Sequence, residues 1–243
     1  MLNYSFDIKK TSEKCIDDGI SAASALGINN LEISAVIDGR PLWTLDGRQL
    51  EALRDKIIDA GKIIALISLD DRLGREETKR FFRAAHLLGA LYIKVDGEVP
   101  ADELDSLAHT AESFDMKALI ENNADTSLKT DDDLARVSDG TQRSKLGIIY
   151  NPAEFVRLSH HPFFHMFYRS HLKNDIVFLR VADSLYSGGF TDLGHGNCEI
   201  KELISILCAR SFDRYGFFSI SDYAGEGSAA RALHDIKKLY KLM

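Results

Sequence analysis

The densest chemistry in this chain lies where the apolar run Ala118-Leu119-Ile120 ends in Glu121-Asn122-Asn123. A short apolar run bounded by polar residues reads as a buried strand, and parallel strands in α/β folds deliver functional groups where they end. A carboxylate in such a place is costly unless a cation or hydrogen-bond donors face it. Glu121 is therefore the first candidate for acid-base work, with Asn123 beside it as a ligand contact. Lys94 and Asp96 alternate with Ile93 and Val95, so both polar groups share one strand face, where they can pair or meet a ligand. Trp43 lies in the loop that begins Asp38-Gly39-Arg40-Pro41-Leu42; its ring could stack on a sugar or simply pin the loop. His195, between two glycines, titrates near neutrality and is a candidate proton carrier or a turn residue.

Other motifs are weaker. His161 and His165 have the i, i+4 spacing of a metal pair, but Pro162 stands between them as a helix start and no acidic partner follows as in a zincin, so a metal role is disfavoured. Gly188-Gly189, Gly194-His195-Gly196 and Gly225-Glu226-Gly227 could cradle phosphate, the last before a helix N-terminus. Asp222 and Glu226 oppose an anion there, which favours plain turns. No G-x-S-x-G elbow, G-x-G-x-x-G turn or Walker loop is present. Cys15, Cys198 and Cys208 are odd in number without metal-ligand spacing, and read as free thiols.

The 243 residues carry a net charge of −7 and are 45% hydrophobic. Nucleic-acid and anionic-membrane binders concentrate Lys and Arg on one face, and no such cluster occurs, so neither partner is expected. No apolar run approaches the roughly 20 residues of a membrane span, and residues 1–10 hold no signal-type segment. The chain reads as cytoplasmic, with homo-oligomerisation left open.

These residues need elements to position them. Strands are predicted at 2–6, 30–34, 63–69, 91–95, 116–121, 146–150, 176–181 and 216–220. Helical periodicity lies between them at 12–26, 49–60, 76–88, 101–114, 131–137 behind the cap Thr130, 163–172, 199–209 and 228–241. Gly27, Gly61, Gly89 and Gly216 fall between helix and strand, where a left-handed residue is commonly wanted. Alternation at steps of roughly thirty residues is the pitch of a (β/α)8 TIM barrel. A doubly wound sheet is the runner-up. One domain over 1–243 is the economical reading.

The stretches Leu26-Gly27-Ile28-Asn29-Asn30-Leu31-Glu32, Leu88-Gly89-Ala90, Leu119-Ile120-Glu121-Asn122-Asn123, Tyr150-Asn151-Pro152-Ala153 and Leu193-Gly194-His195-Gly196 stand in an order that resembles the xylose isomerase-like barrels. That family comprises sugar isomerases, sugar-phosphate epimerases and endonuclease-IV-like enzymes. The resemblance implies a divalent metal on a Glu ending strand 5, an Asp ending strand 6, a His on strand 7 and a Glu on strand 8. Glu121 matches the first; Asn151, Arg180 and Ser221 stand at the others. Asp222 is one residue too far, which in a strand turns it to the opposite face. The Lys that often follows two after the strand 7 His is Ala182, although Asp183 is kept. Arg180 does not deprotonate, so it is expected to take the metal's place and pair with Glu121. Manganese or zinc is disfavoured and no cofactor is expected. By family position Glu32 faces substrate, and Asn151, Asp183 and Ser221 join Trp43, Lys94 and Asn123 as ligand contacts.

Two functions follow from the resemblance. One is an isomerase or epimerase of a small sugar, with Glu121 moving a proton beside a carbonyl, Arg180 and Lys94 stabilising the enediolate, and His195 or Glu32 completing the acid-base set. The other is a barrel that binds a sugar or sugar acid without catalysis, with Arg180 holding a carboxylate or phosphate. A metal retained through Asp183, Asp222 or His195 is the weakest reading. An endonuclease role would need several metal ions and a cationic face.

Overall fold

Runs such as Ile-Ile-Ala-Leu-Ile-Ser are apolar on both faces, which suits strands covered by helices outside and by one another inside. The computed structural model describes residues 2–8, 15–141 and 146–241. Its barrel strands are β1 (Tyr4–Asp7), β2 (Asn30–Ser34), β3 (Ile63–Ser68), β4 (Tyr92–Lys94), β5 (Lys117–Glu121), β6 (Leu146–Tyr150), β7 (Ile176–Arg180) and β8 (Phe217–Ile220). Each pairs in parallel with its sequence neighbours, and β8 returns to β1 through Tyr4 opposite Phe218, closing a barrel. This is the (β/α)8 architecture that the alternation predicts. Bulges interrupt the register beside Glu32 on β2 and between Ile148 and Ile149 on β6.

The outer layer holds α1 (Ile16–Ala25), α2 (Gly47–Asp59), α3 (Arg75–Leu87), α4 (Ala101–Ser113), α5 (Asp131–Asp139), α6 (Pro152–Arg157), α7 (Ile200–Ala209), α8 (Phe212–Tyr215) and α9 (Ser228–Lys241). Residues 12–14 of the first predicted helix lie outside the described residues. Thr130 caps α5 in a reciprocal box with Asp133, satisfying amides that the helix itself leaves open. No helix among the described residues is long and apolar enough to cross a membrane.

Three local expectations change. The helix predicted at 163–172 is a wide π turn, Phe164–Arg169, followed by a short 3-10 turn, Leu172–Asn174. The short helix α6, behind the starting proline Pro152, escaped the periodicity because it has fewer than two full turns. Gly216 is extended rather than left-handed; a Cβ there would lie 2.1 Å from the Phe212 ring, so glycine is needed for close packing.

Inside the barrel an apolar layer joins Leu66, Tyr92, Leu119, Ile149, Phe178 and Phe217. Two residues further along the chain from each, on the same face by strand periodicity, come Ser68, Lys94, Glu121, Asn151, Arg180 and Ser219. Packing below thus sets a polar layer above, at the strands' C-terminal ends.

Candidate functional site

Arg180 ends β7 and Glu121 ends β5, and they meet across the barrel mouth. Nε of Arg180 donates to Oε1 and Nη2 to Oε2, each at 3.0 Å, the planar two-point fit of guanidinium to carboxylate. Nη1 turns the other way, donating to Glu32 and, at 2.7 Å, to Ser219 Oγ, and lying 3.3 Å from Asp7. Ser5 holds Glu32 from its far side with a 2.6 Å hydrogen bond. One cation therefore gathers carboxylates from β1, β2 and β5, with Arg180 only 3% and Glu32 only 1% exposed. Burial works against its charge, but Glu121, Glu32 and Asp7 outweigh it and raise Arg180 well above its ordinary value.

Above this cluster opens a cavity of about 300 Å³, walled by Ser68, Lys94, Glu121, Asn123, Asn151 and Arg180 among others. Lys94 Nζ lies 3.1 Å from Asp70 and 3.6 Å from Glu121. Burial opposes its charge, but Glu121 and Asp70 raise its pKa above 10.5, so it is an ammonium. Asn151 donates through Nδ2 to Glu121 Oε1 at 3.4 Å, while its buried Oδ1 has no partner among the described residues. Asn122 fixes the Asn151 backbone at two points, Nδ2 donating to the carbonyl and Oδ1 accepting the N–H, both at 2.8 Å. Asn122 thus fixes this part of the cavity wall, and Asn151 carries a buried acceptor without a protein donor among the described residues.

A D-tagatose 3-epimerase-like protein superposes with a TM-score of 0.78 at 14% identity, covering 100% of this chain and 98% of its own. A xylose isomerase domain protein from Planctomyces limnophilus gives 0.75 at 16%, covering 99% and 97%. A xylose isomerase-like TIM barrel protein from Mycobacterium smegmatis, solved in complex with magnesium, gives 0.75 at 15%, covering 100% and 96%. The chain has the fold of the xylose isomerase-like TIM barrels. No family model matches the sequence, and no curated protein matches it either.

In a xylose isomerase-like barrel the resemblance implies a divalent ion at the mouth, and the residues here do not fit one. The guanidinium already sits against Glu121, Glu32 and Asp7, so a second cation would have to share their oxygens with it. Asn151 and Ser221 offer neutral oxygens, and Ser221 Oγ donates instead to the Asp7 carbonyl at 2.9 Å. Among the described residues no three His, Cys, Asp or Glu side chains are arranged to hold a metal.

The structure brings Glu121, Arg180, Lys94, Asp96, Asn123 and Asn151 to one cavity, with Asp96 paired to Arg72 rather than to Lys94, and places Glu32, Trp43, Asp183, His195 and Ser221 elsewhere. Glu32 lies beneath Arg180, not at the mouth. Ser221 is buried beside β1 and borders a separate small cleft with Tyr223. Trp43 packs edge-on against Phe81 of α3, 6.4 Å between ring centres, and pins its loop to that helix. Asp183 accepts the amides of Ser184, Gly194, Gly196 and Cys198, which makes it the staple of the 184–198 loop. His195 is exposed on that loop. Asp222 accepts the Ala229 amide at 2.9 Å, so the α9 N-terminus near Gly225 and Gly227 is capped by a carboxylate.

Sequence reasoning passed over Asp7, Ser5, Ser219 and Asp70. The signal was the spacing itself: Ser5 and Asp7 stand two apart in β1, and Ser219 stands two beyond Phe217.

Proposed function

We propose that this barrel binds a small neutral polyhydroxylated molecule, a monosaccharide or close derivative, at its C-terminal mouth without a metal. The observation that carries the reading is the engagement of Arg180 with three protein carboxylates. Its charge is answered within the protein, so a ligand phosphate or carboxylate gains little from it. What remains on the wall is an ammonium, carboxylate oxygens, side-chain amides and hydroxyls, groups that exchange hydrogen bonds with sugar hydroxyls. The volume of about 300 Å³ suits a single ring.

The same pairing weighs against Glu121 as the proton-abstracting base. Both its oxygens accept from Arg180 and one also from Asn151, and taking a proton from carbon would mean giving up those bonds. One observation favours the isomerase reading as a second: Lys94, protonated and 3.6 Å from Glu121, faces the cavity where an enediolate oxygen would develop.

Calorimetric titration of chelator-treated protein with neutral ketoses, aldoses and cyclitols, and with the corresponding sugar phosphates, tests the first reading. It predicts saturable binding of a neutral sugar and weaker binding of its phosphate. Incubating a bound ketose in D2O separates the two: the binding reading predicts no deuterium at the carbon beside the carbonyl. Deuterium incorporation that Glu121→Gln abolishes would establish the isomerase.

A further inference from the structure

Behind the cavity wall, outside the site described above, two imidazoles lie face to face. The rings of His160 and His165 are stacked at 4.6 Å with 12° between their planes, against Phe155. His165 Nδ1 is 2.9 Å from Asp131 Oδ1 and 3.5 Å from Arg169 Nη1. Asp131 opens α5 directly after the segment that contributes Asn122, Asn123, Thr126 and Leu128 to the cavity. On the other side, Pro162 accepts the hydroxyl of Tyr150, the neighbour of cavity residue Asn151, at 2.8 Å. The π turn Phe164–Arg169 carries His165 between these two anchors.

We infer that the His160–His165 stack is an acid-sensitive clamp holding the 122–130 cavity loop and the π turn together. His160 Nδ1 is covered and has no partner among the described residues. A proton added there becomes an N–H donor without an acceptor, on a ring stacked against a second histidine and near a guanidinium. The groups facing the pair are Asp131 and Asp132 from α5, His161 just before the turn and Arg169 at its end, with Glu199 across from His161 at 4.0 Å. Asp131 Oδ2 also lacks a partner, but in this arrangement it makes no bond to either ring. Burial holds His160 below its ordinary value, with His165 adding to the effect and outweighing the opposing Asp131 carboxylate. In the opened state the ring regains a pKa near 6.5, so falling pH favours opening, by up to about tenfold per pH unit below 6.5 until the depressed value is reached.

The inference stands apart from the sugar reading, because it is read on the ligand-free protein. Native-state hydrogen exchange of amides in 122–131 and 160–170, corrected for the intrinsic pH dependence, is compared at pH 7.5 and 5.5. The clamp predicts that exchange in both segments rises together at pH 5.5 while the barrel strands stay protected. It further predicts that His160→Phe, which keeps an aromatic ring in the stack, removes the pH response; if that variant does not fold, His160→Gln removes it as well. Unchanged protection at pH 5.5, protection that increases, or a response retained in the folded variant would overturn it.

Discussion

Arg180 grips Glu121 through two hydrogen bonds of equal length, 3.0 Å from Nε to Oε1 and 3.0 Å from Nη2 to Oε2. Only a planar fork makes that contact, and the remaining nitrogen turns the other way to Asp7 and to Glu32 beneath it. The guanidinium therefore ties β7 to β1, β2 and β5 in one ionic cluster.

Removing that cation leaves buried carboxylates facing one another. Arg180→Ala is expected to lose about 3–5 kcal/mol of stability, measured by urea unfolding, and millimolar guanidinium ion should recover part of it by entering the vacated place. Arg180→Lys should fall between the two, because a point charge cannot span Glu121 and Glu32 at once. Full stability in Arg180→Ala would mean that the cluster contributes nothing to the fold.

The loop after β7 depends on one side chain. Asp183→Ala removes the acceptor of four amides, the buried ones of Ser184 and Cys198 and the part-buried ones of Gly194 and Gly196, and should cost about 2–3 kcal/mol as these donors lose their partner. Limited proteolysis should cut first within 184–198. A cleavage pattern identical to that of the unaltered chain would show that the loop is held by other contacts.

Lys94 carries a pH signature. Its pKa is raised above 10.5 by Glu121 and Asp70 despite burial. The folded state thus holds a proton that the unfolded chain releases near 10.5, so this contribution is complete below pH 10.5 and is lost as pH rises through the raised value. Unfolding midpoints above pH 10.5 should fall more steeply for the unaltered protein than for Lys94→Met; parallel curves would contradict the pairing.

Binding should depend on Asn151. Its Nδ2 reaches Glu121, and its Oδ1 lacks a donor in the described structure. Asn151→Ala is expected to weaken sugar binding about tenfold, the worth of one good hydrogen bond, with little change in the unfolding midpoint. An unchanged dissociation constant would remove Asn151 from the binding surface.

How much of this was legible follows from where the information lies. The barrel could be read because each strand is a local apolar run and each helix a local periodicity, with signals such as Thr130 before Asp131. Lys94 and Glu121 were legible as strand-end polar residues, and Arg180 was singled out through the resemblance. Their partners were not: Glu32 and Arg180 stand 148 residues apart, and nothing local says that they touch. Asp7 was hidden because β1 has only four residues. Asp183 and Ser221 were placed in the site by the resemblance, whereas here a loop's amides and a strand-end carbonyl take their hydrogen bonds.

We propose that the Arg180 guanidinium stands where the resemblance places a metal. A crystal soaked in manganese, with anomalous diffraction recorded at the manganese edge, tests it most directly. No anomalous peak is expected among Asp7, Glu32 and Glu121, with Arg180 within hydrogen-bond distance of both glutamates. A manganese peak between Glu121 and Glu32, with the Arg180 side chain swung out of the mouth, would contradict it.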